Sequence, residues 1–200
     1  MIDFYFDFSS PYGYLGAFQI ENLARKYGVV VNWKPFMVGA VFKTTGNRPL
    51  LEQPVKGEYS KYDWARYAKI LGVKWILPDP FPVTTVAAAR GFYWLDRQDV
   101  GLAKRFASMA YEKYFGDGIN IGSDESVADI AVSLGVERQD FLDAIRSDEV
   151  KQLLRDATDA AVKRGVFGSP FYFLGDEPFM GSDRMWMIEI FLQKQGINPK

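Results

Sequence analysis

The chain of 200 residues contains no cysteine and no histidine. A Ser-His-Asp or Cys-His nucleophile system is therefore impossible within it. Zinc sites of the usual Cys/His type are excluded as well, which leaves only carboxylate metal sites, and no metal is expected. Disulfide exchange by the protein's own side chains cannot occur, so any thiol chemistry must arrive with a ligand. Neither sign of charge dominates: 24 Lys plus Arg face 25 Asp plus Glu, without the basic surplus of a nucleic-acid binder. No apolar run approaches the roughly 18 residues of a membrane span. The N-terminus reads as a strand from Ile2 with no basic n-region and no cleavage site, so a cytoplasmic protein is the expectation. What the chain does have is apolar mass. With 48% hydrophobic and 16% aromatic residues it can bury a sizeable core. Its length fits one domain, or one domain carrying a large insertion.

The first elements read as strand, helix, strand. "DFYFDF" (3–8) alternates and is aromatic-rich, which predicts a strand. Pro11 suits a first helical turn, where its missing N–H costs nothing. Leu15, Phe18, Leu23 and Tyr27 then recur near helical spacing until Gly28. "VVVNWKPF" (29–36) is β-branched and predicts a second strand. The middle of the chain is helical in pattern, through segments 59–72, 83–98, 100–115, 123–135 and on to Gly165. β structure returns at "PFYFLG" (170–175) and "EPFMG" (177–181), joined by the hairpin signal Gly175-Asp176, and a last helix is expected over 182–196. The expected fold is therefore α/β and thioredoxin-like, βαβ…ββα. Residues 1–36 and 165–200 form the thioredoxin-like domain, and 37–164 supply a connecting loop and an inserted helical domain.

Three short stretches carry candidate chemistry, each with a plainer alternative. In "FDFSSPYGYLG" (6–16), Ser10 precedes Pro11 at the mouth of the first helix, where free amides and the positive helix end favour an anion. Ser9 or Ser10 could equally be only an N-cap. In "GVFGSPFYF" (165–173), a cis bond at Ser169-Pro170 would leave the Ser169 N–H and C=O to pair with a peptide-like ligand. An ordinary turn before a strand is the alternative. In "GSDR" (181–184), Ser182 and helix amides can hold a carboxylate while Asp183 accepts from an ammonium, or either residue can simply cap the helix.

Taken in order, "DFSSPYGYLG", "TGNRP" (45–49), "GDGINI" (116–121) and "GVFGSPFYFLGDEPFMGSDR" (165–184) resemble the kappa-class glutathione transferases and 2-hydroxychromene-2-carboxylate isomerases of the DsbA-like thioredoxin superfamily. The resemblance spans nearly the whole chain. It implies a glutathione site in which Ser10 contacts the sulfur and Asn47 lies in the ligand cleft. Val166 to Pro170, with Ser169 where relatives often have Val, would pair with the cysteinyl backbone. Ser182, Asp183 and Arg184 would bind the γ-glutamyl end. It also implies a homodimer and a small aromatic carboxylate as substrate. Lowering a thiol pKa from about 8.5 by about two units requires roughly 2.7 kcal/mol, which a hydroxyl and a helix N-terminus can supply. With no histidine to deprotonate it, Ser10 is expected to stabilise a thiolate and not to attack.

Isomerase and transferase share this glutathione half, and the isomerase is the favoured reading. Its substrate would need a cation, for which Lys43 and Arg48 beside Asn47 are candidates if they are not merely a solvated pair. It would also need an apolar slot, to which Phe81, Phe92, Tyr93 and Trp94 could contribute unless the core takes them. A reading of another class is a non-catalytic thioredoxin-fold protein that binds peptides through its cis-proline loop.

Overall fold

The computed structural model describes residues 1–200, with the side chains of Lys43 and Thr44 outside the described set. Strand β1 (Ile2–Phe6) leads into α1 (Pro11–Tyr27) and then β2 (Val31–Pro35). The chain continues through α2 (Val38–Thr45), α3 (Lys56–Leu71), α4 (Val86–Asp96), α5 (Val100–Tyr111), α6 (Asp124–Ser133), α7 (Arg138–Arg146) and α8 (Asp148–Lys163). It returns to the sheet as β3 (Phe171–Leu174) and β4 (Glu177–Met180) and ends in α9 (Met185–Lys194). The sheet order is β2-β1-β3-β4. β1 runs parallel to β2, with Ile2 opposite Val31, and antiparallel to β3, with Ile2 opposite Leu174. No helix among the described residues is long and apolar enough to cross a membrane.

Ser10 caps α1, Pro11 stands at its start and Gly28 ends it in the left-handed region, so this helix is bounded by its own sequence. Leu15, Ile20, Leu23 and Tyr27 face the core, whereas Phe18, expected on that face, is turned outward. Gly16 lets the helix lie against the sheet. A Cβ there would come within 2.3 Å of the Tyr172 hydroxyl and 2.9 Å of Pro170 Cγ. The main core runs without a break from Phe4, Phe6 and Phe8 into Phe92, Phe106, Tyr111 and Phe141 of the helical segment. Sheet and insertion thus share one apolar interior.

Several expectations need correcting. β1 stops at Phe6, not Phe8, because Asp7 turns its carboxylate to the Ser9 and Val38 amides and the chain bends there. Residues expected as a connecting loop form α2, which has no side-chain cap of its own. Its first amides are satisfied from far along the chain, Val38 N–H by Asp7 and Met37 N–H by Thr158. The helix expected over 100–115 changes at Glu112 to a π turn ending at Gly116. The last α-helix starts at Met185, not Ser182, because Ser182–Arg184 form a 3-10 turn after Gly181 at φ 110°. Neither Ser182 nor Asp183 caps it.

Candidate functional site

Ser10 lies where β1 gives way to α1. Its hydroxyl accepts from Gly13 N–H at 3.0 Å and donates to the Ser169 carbonyl at 2.9 Å. It is therefore an N-cap, as the plainer reading has it, and at the same time touches the second candidate stretch. The Ser169-Pro170 bond is cis. The Ser169 carbonyl is not free, since it holds the Ser10 hydroxyl, but a carbonyl oxygen has a second lone pair. The Ser169 N–H has no protein acceptor among the described residues. The Ser169 hydroxyl oxygen accepts from Asp7 N–H at 2.9 Å.

The third stretch joins the same place. Gly181 N–H donates to the Pro170 carbonyl at 3.1 Å, which fixes the Ser182–Arg184 turn against the cis-proline loop. The Ser182 carbonyl accepts from Gln19 Nε2 of α1 at 3.0 Å and from the Tyr67 hydroxyl of α3 at 2.8 Å. Asp183 is exposed and pairs with its neighbour Arg184. Ser10, Ser169, Pro170, Ser182, Asp183 and Arg184 are thus linked by a short chain of contacts. Val166 is different: it is buried beside Tyr5, Phe36 and Phe171, and its N–H bonds to the Ala161 carbonyl. Its side chain is packing for the loop. Asn47 and Arg48 are exposed on the turn after α2, where Gln53 Nε2 holds the Arg48 carbonyl at 2.8 Å. The expectation for Lys43 falls outside the described side chains.

Burial redistributes the expected aromatic slot. Phe92 is a core residue against Phe6, and Trp94 packs on Phe141. Tyr93 donates to the Pro35 carbonyl and, with Phe92, lines a 280 Å³ cavity beside β2 that includes none of Ser10, Ser169 or Asp183. Phe81 meets Trp64 at 5.9 Å, which in turn meets Tyr12 at 6.1 Å, two residues after Ser10.

That contact exposes residues the motifs did not mark. Tyr12, two positions after Ser10, donates to Asp63 Oδ2 of α3 at 2.6 Å. Burial and the Asp63 carboxylate push its hydroxyl pKa well up, so Tyr12 stays a proton donor. Asp183 also acts on Tyr12 and on Tyr67, whose hydroxyl burial raises in the same direction. Two carboxylates, Asp63 and Asp183, therefore lie near Tyr12. The arrangement suits a ligand with a cationic end, an exposed peptide backbone and an anionic group at the α1 mouth. The i, i+4, i+8 spacing of Tyr59, Asp63 and Tyr67 was the available signal.

Residues 1–193 match the DSBA-like thioredoxin domain family. A 2-hydroxychromene-2-carboxylate isomerase of Pseudomonas sp. (strain C18) is 31% identical over 194 residues, covering 94% of this chain and 88% of that protein. Glutathione S-transferase kappa 1 of Caenorhabditis elegans is 27% identical over 205 residues, covering 96% and 91%. The solved structure of a 2-hydroxychromene-2-carboxylate isomerase superposes with a TM-score of 0.88 at 29% identity, over 98% of this chain and 95% of that one. With a family model matching over 193 residues and a relative more than 30% identical over nearly the whole chain, the chain belongs to the DSBA-like thioredoxin family, in the group that holds the 2-hydroxychromene-2-carboxylate isomerases and the kappa-class glutathione transferases.

Proposed function

We propose that the protein is a glutathione-dependent isomerase that interconverts 2-hydroxychromene-2-carboxylate and trans-o-hydroxybenzylidenepyruvate in aromatic hydrocarbon catabolism. The observation that carries this reading is the meeting of Ser10 with the cis-proline loop in a chain without cysteine. Glutathione, when bound, supplies the thiol that the turn lacks.

The residues present fit such a ligand. The Ser169 N–H, without an acceptor among the described residues, and the second lone pair of its carbonyl suit the cysteinyl backbone. The exposed Asp183 carboxylate suits the γ-glutamyl ammonium, and Arg184 its carboxylate. Ser10 can turn its proton from the Ser169 carbonyl to a sulfur at the α1 mouth, where helix amides add to the favourable field. It does not act as a base or nucleophile, since no histidine is available to it. Arg48 would receive the substrate carboxylate, and the half-buried Tyr12 and Phe81, backed by the buried Trp64, its ring.

A kappa-like transferase shares every one of these glutathione contacts. The exposed Asp183–Arg184 pair weighs against a simple peptide binder, for which the loop alone would suffice. A paired assay tests the reading: ring opening of 2-hydroxychromene-2-carboxylate with glutathione, against glutathione conjugation of an electrophilic aromatic. Glutathione-dependent ring opening is expected. Conjugation without ring opening would move the protein to the transferase reading, and no heat on titration with millimolar glutathione would remove both.

A further inference from the structure

Strand β2 lies at one edge of the sheet, with β1 as its only neighbouring strand. Two hydrogen bonds fix the phase of that pairing. Ile2 N–H donates to the Val30 carbonyl at 2.8 Å, and Phe36 N–H donates to the Phe6 carbonyl at 2.9 Å. In a parallel ladder alternate residues bond the neighbouring strand, so even-numbered residues of β2 face β1 and odd-numbered ones turn N–H and C=O outward. Pro35 conforms, since its carbonyl takes the Tyr93 hydroxyl at 2.7 Å. Trp33 turns outward too, but among the described residues nothing bonds its N–H or its carbonyl.

These two groups do not meet open solvent as an ordinary edge does. Trp33 is 5% exposed and lines the 280 Å³ cavity beside β2, away from the Ser10 turn. Residues of α4 and α5 line the same space, and so do Ala157 and Ala160 of α8, whose small side chains leave the room. Three charged side chains complete it: Lys34, Asp96 and Lys104. Both lysines act on Asp96, but neither comes within ion-pair distance, and its carboxylate accepts no hydrogen bond among the described residues. Burial raises the Asp96 pKa, as for a carboxylate short of partners, and the lysines oppose that rise. Lys104 reaches Glu21 at 3.1 Å, and Lys34 comes only to 3.8 Å from Asp3, so both ammonium groups keep donors to spare.

The open edge is short. Val31 to Trp33 spans about 7 Å of extended chain. Beyond it Tyr93 holds the Pro35 carbonyl, and Pro35 has no N–H to give. Lys34 and Pro35 at an edge also oppose pairing with a strand of a folded partner. A small peptide fits these limits and a protein strand does not. We propose that the cavity is a binding site for a free di- or tripeptide, whose backbone N–H and C=O pair with the Trp33 carbonyl and amide, its α-ammonium with Asp96 and its carboxylate with Lys34 and Lys104. The site is separate from the glutathione site proposed above and does not rest on that reading.

Amide NMR on the unaltered protein tests this without glutathione. In the free protein the Trp33 amide should exchange with solvent faster than those of Asn32 and Lys34, which the ladder holds. Equal protection would mean a closed edge and overturns the proposal. Trialanine at millimolar concentration should shift the Trp33 amide saturably. N-acetyl-trialanine, which lacks the ammonium, should bind about tenfold more weakly, as for loss of a charge-assisted hydrogen bond. In Asp96→Asn the two peptides should bind alike. Ala160→Leu, at an exposed position of α8, fills the cavity and should abolish the shift while the melting temperature holds. No saturable shift at Trp33, equal affinity for both peptides in the unaltered protein, or a shift that survives Ala160→Leu overturns the proposal.

Discussion

Replacing Ser10 by alanine removes two hydrogen bonds at once, one from Gly13 N–H and one to the Ser169 carbonyl. Loss of the N-cap costs about 1 kcal/mol. Loss of a neutral hydrogen bond to the cis-proline loop adds about 1 kcal/mol. For a chain of this length the sum lowers the melting temperature by about 5 °C. The effect on a bound thiol follows from the same geometry. The hydroxyl has a single proton, and the structure commits it to Ser169. Stabilising a thiolate therefore means exchanging a neutral hydrogen bond for a charge-assisted one, a net gain of about 1 kcal/mol, or about 0.7 of a pKa unit. Titrating the glutathione complex at 240 nm, with the free protein subtracted, should show the thiol pKa of Ser10→Ala raised by that amount. Affinity should change much less, and activity should fall at neutral pH and partly recover as pH rises. An unshifted thiol with normal turnover would make Ser10 a cap and nothing more. A rise of about two units would refute the exchange, because it would require a hydroxyl not already engaged.

Asp183→Ala should weaken glutathione binding by about tenfold on loss of a charge-assisted hydrogen bond, measured by calorimetry, with the melting temperature held because Asp183 is exposed and caps no helix; a lowered melting temperature with affinity intact would make it structural. Gly16→Ala should cost about 1–3 kcal/mol by driving a methyl into the Tyr172 hydroxyl and Pro170. Tyr172→Phe, which removes a buried hydroxyl that has no partner among the described residues, should leave stability level or higher and partly rescue Gly16→Ala; thermal unfolding of the four proteins checks both. Burial is the largest single influence on the pKa of Asp3 and raises it, but the hydrogen bonds from Arg164 and Asn32 and the charges of Lys34 and Arg164 together outweigh it, and the net shift is downward. A depressed carboxylate contributes stability above its unfolded pKa and loses it as pH falls through the folded value. The gap between the unaltered protein and Asp3→Asn should therefore be constant above about pH 5 and close below about pH 4 in denaturant titrations.

The parts of this fold that were legible in the sequence are those whose signals are local. β1 and β2 alternate or branch over a few residues, and α1, α5, α6 and α8 begin at their own caps, Ser10, Asp99, Ser123 and Ser147. Helix α2 was illegible for the opposite reason. Its amides rest on Asp7 and Thr158, and nothing within residues 38–45 announces a start. The site divides in the same way. Ser10, the Ser169-Pro170 bond and the Ser182–Arg184 turn are short motifs, whereas Tyr12 and Asp63 matter through a contact between two helices. Phe92 and Trp94 show the limit of composition: an aromatic side chain can line a slot or fill a core, and only the position of Phe6 and Phe141 decides.

The order of the strands bears on how the chain is made. β1 is an inner strand with β2 on one side and β3 on the other, and Ile2 pairs with Leu174. During synthesis its first neighbour emerges soon after it, but the second follows only when the whole helical segment has been translated. At about 5–20 residues per second that interval is many seconds, long beside the microseconds in which helices and hairpins form. Throughout it, the apolar sequence Ile-Asp-Phe-Tyr-Phe presents an open β edge. The ribosome-bound chain is therefore most exposed to aggregation at its N-terminal strand, and a chaperone that shields nascent edges would act there until Phe171–Leu174 arrive.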